Sequence, residues 1–311
     1  MNIMFPISHI EEIDIANQRG IKEIYFGLHN TSVMINNRRP SSKCNLSIDK
    51  ETLEKIVKKT RQENISIYIT VNSVVNNEKS VTSLIEVIQE CIECGVTNFI
   101  VADINLIIAI RERITGDYNL TLSTCMPVYN QKTVDFFRKL AIKRFVLPRH
   151  LLIDEIDEIV SHNKDCEFEV IIKNSRCINE DGNCSYEHGL ANYVSGMEGG
   201  CCQLQYKVEY VGNTPQNLFD REIIRKRYEY LRGDFLFACG ACFLKHFNEI
   251  GIASLKIVGR EFSTSRKIKD INFISKCISY IDSSEEEYRR QVRSIYKEIY
   301  GRECNSSQCY Y

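Results

Sequence analysis

IDKETLEKIVKKTRQENISIYITVN, residues 48–72, holds one repeating unit of the fold. Its first part carries apolar residues at helical spacing. The run SIYITVN (66–72) that follows is dense in β-branched and aromatic residues and reads as a strand. The same alternation extends in both directions. Strands are expected at NIMFPI (2–7), EIYFGL (23–28), NFIVAD (98–103), LTLST (120–124), RFVLPR (144–149), FEVIIK (168–173) and SLKIVG (254–259). Between them lie helical patterns such as SVTSLIEVIQECIECG and TVDFFRKLA. Apolar strands separated by helices define a parallel sheet covered by helices. Eight of them predict an α/β fold, a (β/α)8-like barrel, with an open doubly wound sheet as the alternative.

The rhythm breaks once, between the seventh and eighth strands. This divides the chain, as one domain overall, into residues 1–173 with seven β/α units, a cysteine-rich insertion at 174–253, and 254–311 with the last strand and the C-terminal helices. One of those helices runs through KIKDINFISKCISYI. The other opens on a capping box formed by Ser284 and Glu287. The final CNSSQCYY is expected to fray.

The 311 residues are 43% hydrophobic, enough for a substantial core. The start MNIMFPISHIEEID has neither a basic opening nor a long apolar run, and no stretch has the length of a membrane helix, so a cytoplasmic protein without membrane contact is expected. In a reducing compartment the 14 cysteines point to metal binding, catalysis or burial rather than disulfides. With 40 basic and 41 acidic side chains there is no general basic excess for nucleic acid. KIVKKTR (55–61) and REIIRKRYEYLR (221–232) are local clusters with helical spacing.

Six of the cysteines fall in the insertion: Cys177, Cys184, Cys201, Cys202, Cys239 and Cys242. Soft thiolates drawn from distant loops suit an iron–sulfur cluster or zinc. Structural zinc usually takes close C-x2-4-C pairs, and Cys177 and Cys184 are wider apart than that. Spacing alone leaves a cluster, zinc, and buried or reactive thiols open. Cys91 and Cys94 spell CxxC inside a helical pattern and read as core filling. Cys242 is a spare ligand, a redox thiol or a packing residue. The six histidines form no HExxH, and there is no G-x-S-x-G.

The run EFEVIIKNSRCINEDGNC (167–184) resembles the signature of the U32 peptidase family, E-x-E-V-F-V-H-G-A-x-C-x-x-Y-S-G-x-C. Further blocks resemble it in order: EIYFG near 23, IYITVNSVVNNE (67–78), VAD ending at Asp103, LSTCMPVYN from Leu122, FVLPRHL (145–151) and CGACFLKHFNEIGIASLKIVGRE from Cys239. The resemblance implies a barrel bearing a [4Fe–4S] cluster that supports oxygen-independent hydroxylation, as in proteins of anaerobic ubiquinone synthesis and RNA modification, some with prephenate as oxygen donor. It implies Cys177, Cys184, Cys201 and Cys239 as the ligands. The family's peptidase label and a non-catalytic half of a heterodimer with a second U32-family subunit are the alternatives. The chain departs from the pattern at Lys173-Asn174 (His-Gly in the family), at 180–183, at Gln205 and at Val258.

Asp103, Arg149 and Glu169, with Asn72, match family positions at or near strand ends and are the catalytic candidates. An ion pair or a loop cap is the competing role for each. Lys256 and Arg260 flank the eighth strand's end and could receive an anionic group. Cys125 also faces this region. The neutral charge, and the lack of the extra domain of longer RNA-acting relatives, favour a small-molecule or peptide substrate in a biosynthetic pathway over RNA.

Overall fold

The structure, a computed structural model, describes residues 1–29, 44–72, 74–75, 77–176, 182–183, 221–222, 234–305 and 308–311. Nine strands are present among these: β1 (Asn2–Pro6), β2 (Glu23–Leu28), β3 (Asn45–Leu46), β4 (Ser66–Val71), β5 (Asn98–Val101), β6 (Asn119–Leu122), β7 (Arg144–Val146), β8 (Glu167–Lys173) and β9 (Ser254–Ile257). All pair in parallel, in the order β1-β9-β8-β7-β6-β5-β4-β2, and a β1–β2 pairing closes the ring. All eight expected strands are therefore found, and they form the closed barrel. The two-residue β3, which the sequence did not announce, only extends β2.

The helices are α1 (Glu12–Gln18), α2 (Lys50–Gln62), α3 (Glu78–Glu93), α4 (Ile104–Arg113), α5 (Gln131–Arg138), α6 (Ile153–Ser161), α7 (Leu244–Ile250), α8 (Thr264–Ile278) and α9 (Glu285–Tyr300). Local chemistry sets where they begin. Asp49, Asn77, Asp103, Asn130 and Ser284 each accept a backbone N–H from the first turn of α2, α3, α4, α5 and α9. Packing sets which face is inward. In α2 the buried residues are Leu53, Ile56, Val57 and Thr60, one stripe of a helix whose other faces carry Lys and Glu. Outward-pointing strand residues such as Phe5, Phe26, Phe99, Phe145 and Phe168 meet these stripes in the main core.

Inward-pointing residues alternate with those and form layers. Met4, Tyr25, Tyr68 and Ile100 pack together inside the ring. Val146, Ile171, Ala238 and Tyr310 pack together towards the C-terminal mouth. Near the N-terminal end the interior is ionic. Arg144 donates to Glu23 with Nη1 at 2.9 Å and Nη2 at 2.7 Å, to Tyr68 Oη at 2.7 Å and, through Nε, to Glu169 Oε1 at 2.7 Å. Lys256 Nζ donates to Glu169 Oε2 at 3.0 Å. Ser254 Oγ donates to Glu23 Oε2 at 2.7 Å.

The last residues do not fray. The Cys239 amide donates to the Gln308 carbonyl at 2.8 Å, and the Tyr310 amide donates to the Cys239 carbonyl at 3.1 Å. The Tyr311 hydroxyl donates to the Ile171 carbonyl at 3.2 Å, and its ring lies edge-on to Phe247 with centroids 5.2 Å apart. Two large aromatics find an apolar seat there, and backbone pairing fixes the segment between them. Those gains exceed the entropy of a free end. No helix among the described residues is long and apolar enough to cross a membrane.

Candidate functional site at the C-terminal mouth

The chain leaves the barrel at Lys173 through two residues of left-handed backbone, Asn174 (φ 69°) and Ser175 (φ 50°). Asparagine tolerates this region better than other side-chain-bearing residues, which explains physically how it stands where the family pattern has glycine. The Asn174 side chain donates to the Val258 carbonyl at 3.1 Å and to Asp270 Oδ2 at 2.7 Å, so the bend is anchored on both β9 and α8.

Two residues of the insertion beyond this bend, Gly182 and Asn183, are described. Gly182, between Cys177 and Cys184, is pressed on the end of β6: a Cβ there would lie 2.8 Å from Pro127 Cγ and 3.0 Å from the Cys125 carbonyl oxygen. Only glycine allows that approach. Beneath it, the Asn72 amide donates to Ser123 Oγ at 3.4 Å and points at Cys125 Sγ at 3.9 Å. Arg149 donates to the Ser175 carbonyl, tying the β7 exit to the β8 exit. Asn72, Cys125, Arg149 and Gly182 thus share one face of the molecule.

Asp103 is at this face in a structural role. Its Oδ1 accepts the Leu106 amide at 2.9 Å and caps α4, while its Oδ2 accepts the Val75 amide at 3.1 Å. Removing both bonds with Asp103→Ala should cost about 1–2 kcal/mol, the value of a lost N-cap, read in urea melts. Asp103→Asn keeps a capping oxygen and should stay near wild type. Loss of product by a stable Asp103→Asn protein would show instead that the carboxylate takes part in chemistry.

Glu169 does not reach the mouth. It lies early in β8, points into the barrel and is fully buried in the ionic layer. Burial by itself would raise its pKa, but the charges of Lys256 and Arg144 and their hydrogen bonds prevail and lower it. Both oxygens are occupied, so it serves as the counter-charge of two cations. Lys256 is committed to the same pair. Arg260 donates to Asn45 Oδ1 and Thr70 Oγ1, both at 3.0 Å, holding β3 against β4.

Of the four expected ligands, Cys177, Cys184 and Cys201 lie outside the described residues, as do Cys202, Gln205 and most of 174–233. Cys239 is described. It pairs through backbone with Lys173 on one side and Cys309 on the other, and its sulfur accepts the Ala241 amide at 3.5 Å. Burial pushes its thiol pKa up to about 12, opposed by Lys173. Lys173 is itself fully buried, 4.7 Å from the Tyr300 ring centre and donating to the Phe237 carbonyl at 3.3 Å; burial lowers its pKa. A thiolate or thiolate-ligated iron here would meet a cation at once, so Cys239 fits an anionic cluster.

One residue escaped the sequence reading. His150 follows Arg149, and both its ring nitrogens are buried with no hydrogen-bond partner. Buried polar atoms in that condition are rare and costly. The only sequence signal was its adjacency to Arg149. A cavity of about 450 Å³ opens at the opposite end of the barrel, lined by Glu23, Tyr68, Arg111, Lys143, Arg144 and Glu167. Its inner wall is the ionic layer already described, and barrel chemistry sits at the other face.

A closed (β/α)8 barrel, with a cysteine-rich insertion leaving the C-terminal end of β8, defines the class of protein. The family model of peptidase family U32 matches residues 8–311, and the chain belongs to that family. It is similar to tRNA hydroxylation protein P1 of Bacillus subtilis, 27% identical over 89% of this chain and 61% of that protein. It is also similar to tRNA hydroxylation protein P of Haemophilus influenzae, 27% identical over 67% of this chain and 43% of that protein. The chain thus spans about half the length of these relatives. Its fold is similar to that of the U32 peptidase Mk0906, with a TM-score of 0.51 at 12% identity over 83% of this chain and 93% of that one.

Proposed function

We propose that this chain supports oxygen-independent hydroxylation of tRNA, using a [4Fe–4S] cluster held by Cys177, Cys184, Cys201 and Cys239. The observation that carries the reading is the mouth itself: Gly182 packed on Cys125 and Pro127 beyond β6, a buried Cys239 near a buried lysine, and Arg149 tied to the Ser175 carbonyl. The names of the relatives turn the substrate from the small molecule or peptide that charge balance favoured towards tRNA. A nucleotide base can enter a barrel mouth without a protein-wide basic excess, because only the flipped or single-stranded base needs to reach the site.

The cluster, when bound, would supply electron transfer; four cysteine ligands leave no open iron. The rest falls to the chain. Arg149 would bind a carboxylate, and an oxygen donor such as prephenate carries two. His150 has one nitrogen that can donate and one that can accept, which suits holding or moving a proton at the substrate.

The test is nucleoside mass spectrometry of tRNA from cells grown without air. A nucleoside one oxygen heavier should appear with the intact gene, vanish without it, and vanish with Arg149→Ala while the iron content stays unchanged. If the tRNA nucleosides are identical with and without the gene, the substrate is wrong. If iron-free protein cleaves peptides, the chemistry is wrong.

A further inference from the structure

The cavity of about 450 Å³ at the N-terminal end of the barrel has the size of a small-molecule pocket, which runs from about 300 to 1,000 Å³. Its wall is built from the first residues of consecutive strands. Asn98 opens β5, Asn119 opens β6, Arg144 opens β7 and Glu167 opens β8. Parallel register sets the wall side by side. Tyr68 pairs with Asn98 and Asn98 with Asn119, while Thr121 pairs with Arg144 and Arg144 with Glu167.

Two buried hydroxyls on this wall have hydrogen-bonding capacity left. Thr121 is 1% exposed and points inward, since Leu120 and Leu122 on either side belong to the outer core. Its hydroxyl has no hydrogen-bond partner among the described residues, and the residue lines the cavity. The Tyr68 hydroxyl accepts from Arg144 Nη1 at 2.7 Å and donates to nothing among the described residues. Burial, with Glu23 close by, holds its pKa above the ordinary phenol value, so it keeps that proton to donate. Buried polar groups without partners are uncommon and costly, and a ligand's oxygens would satisfy both.

The charges at the opening do not balance. In the ionic layer Glu23 and Glu169 are matched by Arg144 and Lys256. At the rim Asp165 is paired with Arg138, and Glu167 leans on Arg144 at 3.1 Å. Arg111 gives Nε and Nη2 to the Leu140 and Ala141 carbonyls at 3.1 and 2.9 Å, which carry no charge. The Lys143 ammonium has no partner among the described residues. Arg111 and Lys143 therefore face one carboxylate, Glu167, that Arg144 already holds, and a positive charge is left over. The Nη1–Nη2 edge of Arg111 is the fork that grips a carboxylate. We propose that this cavity binds a small hydroxylated carboxylate, its carboxylate on Arg111 and Lys143 at the rim and its hydroxyls on Tyr68 and Thr121 inside the barrel. The lining has no cysteine and no histidine among the described residues, and its carboxylates are held by arginines, so the site binds without reacting. It is independent of the hydroxylation reading.

The experiment is calorimetric titration of the full chain with gluconate. Glucose, with the hydroxyls but no charge, and acetate, with the charge but no hydroxyls, are the comparisons. Gluconate should give a saturable heat at one site per chain, and the other two should give none. Lys143→Met, at an exposed position, removes one charge-assisted contact and should weaken gluconate about tenfold. Thr121→Val keeps the shape, removes one hydroxyl and should weaken it about fivefold. If that variant loses its circular-dichroism signal, Lys143→Met carries the test. Lys276→Met, which breaks an exposed pair with Glu298, should leave the affinity unchanged, as should Arg149→Ala at the C-terminal mouth. No saturable gluconate heat, or unchanged affinity in Lys143→Met, overturns the site. Binding lost in Arg149→Ala but kept in Lys143→Met would put the ligand at the mouth and overturn it too. Acetate binding as tightly as gluconate would overturn the hydroxyl contacts.

Discussion

Arg144→Met should lower the unfolding free energy by about 3–5 kcal/mol, the cost of leaving a buried ion-pair partner uncompensated. The arginine sits at the centre of the ionic layer, and its removal strands Glu23 and unbalances Glu169, whose carboxylate is fully buried. Tyr68 loses its donor as well, and the cation over its ring at 4.8 Å. The matched control is Arg138→Met, which breaks an exposed pair with Asp165 and should change stability by no more than about 1 kcal/mol. Urea melts with unchanged slopes would report the difference as a shift of midpoint. Equal midpoints for the two variants would mean the buried layer contributes no more than a surface pair.

The same layer gives a pH dependence. The pKa of Glu169 is lowered in the folded state, so the folded protein binds this proton less readily than the unfolded chain. Its contribution is complete above the ordinary carboxylate value of 4.5 and is lost as pH falls through the lower folded value. The wild-type midpoint should therefore drop on acidification below that value. Glu169→Gln should flatten the drop, starting from a lower plateau.

That layer was only half legible. Period and composition locate the strands because each buries an apolar outer face against a helix, and that signal is local. They do not say which charged residue of a strand faces inward, or at what height. Glu169 and Lys256 look like strand-end candidates in a linear reading, and Glu23 and Arg144 carry no signal there. Ring closure brings β2, β7, β8 and β9 together and makes them counter-charges near the N-terminal end. Asp103 was legible as either a site residue or a cap, and the structure shows its two oxygens capping α4 and holding the Val75 amide. The seat of the final residues was illegible for a related reason. Cys309 pairs with a residue seventy positions earlier, and only the folded Cys239 turn creates its partner. The Cys91–Cys94 pair was legible throughout, because Cys91 lies on the ordinary apolar stripe of α3 and Cys94, which ends that helix, is buried in the same core.

That contrast supplies the largest expected effect on the metal content. Anaerobically purified protein should contain about four irons per chain, with the broad absorption of a thiolate-ligated cluster. Alanine at Cys177, Cys184, Cys201 or Cys239 should strip or degrade the cluster and remove the product entirely. Alanine at Cys91 or Cys94 should leave iron and product alone, at a modest cost in core packing. Both kinds of thiol are buried, and burial pushes Cys91 up to about 12 as it does Cys239. Burial is therefore not what separates them. Cys91 sits in the apolar core, and its neighbours Cys94 and Glu90 oppose its ionisation. Cys239 has a backbone N–H on its sulfur and a buried lysine whose charge opposes the rise, both of which favour the ionised form that binds metal. Lys173→Met should accordingly weaken iron retention while leaving Cys239 in place, and restoring a cation with Lys173→Arg should recover part of it. Stoichiometric zinc with no iron after anaerobic reconstitution, or iron that survives loss of Cys239, would remove the cluster from this mouth.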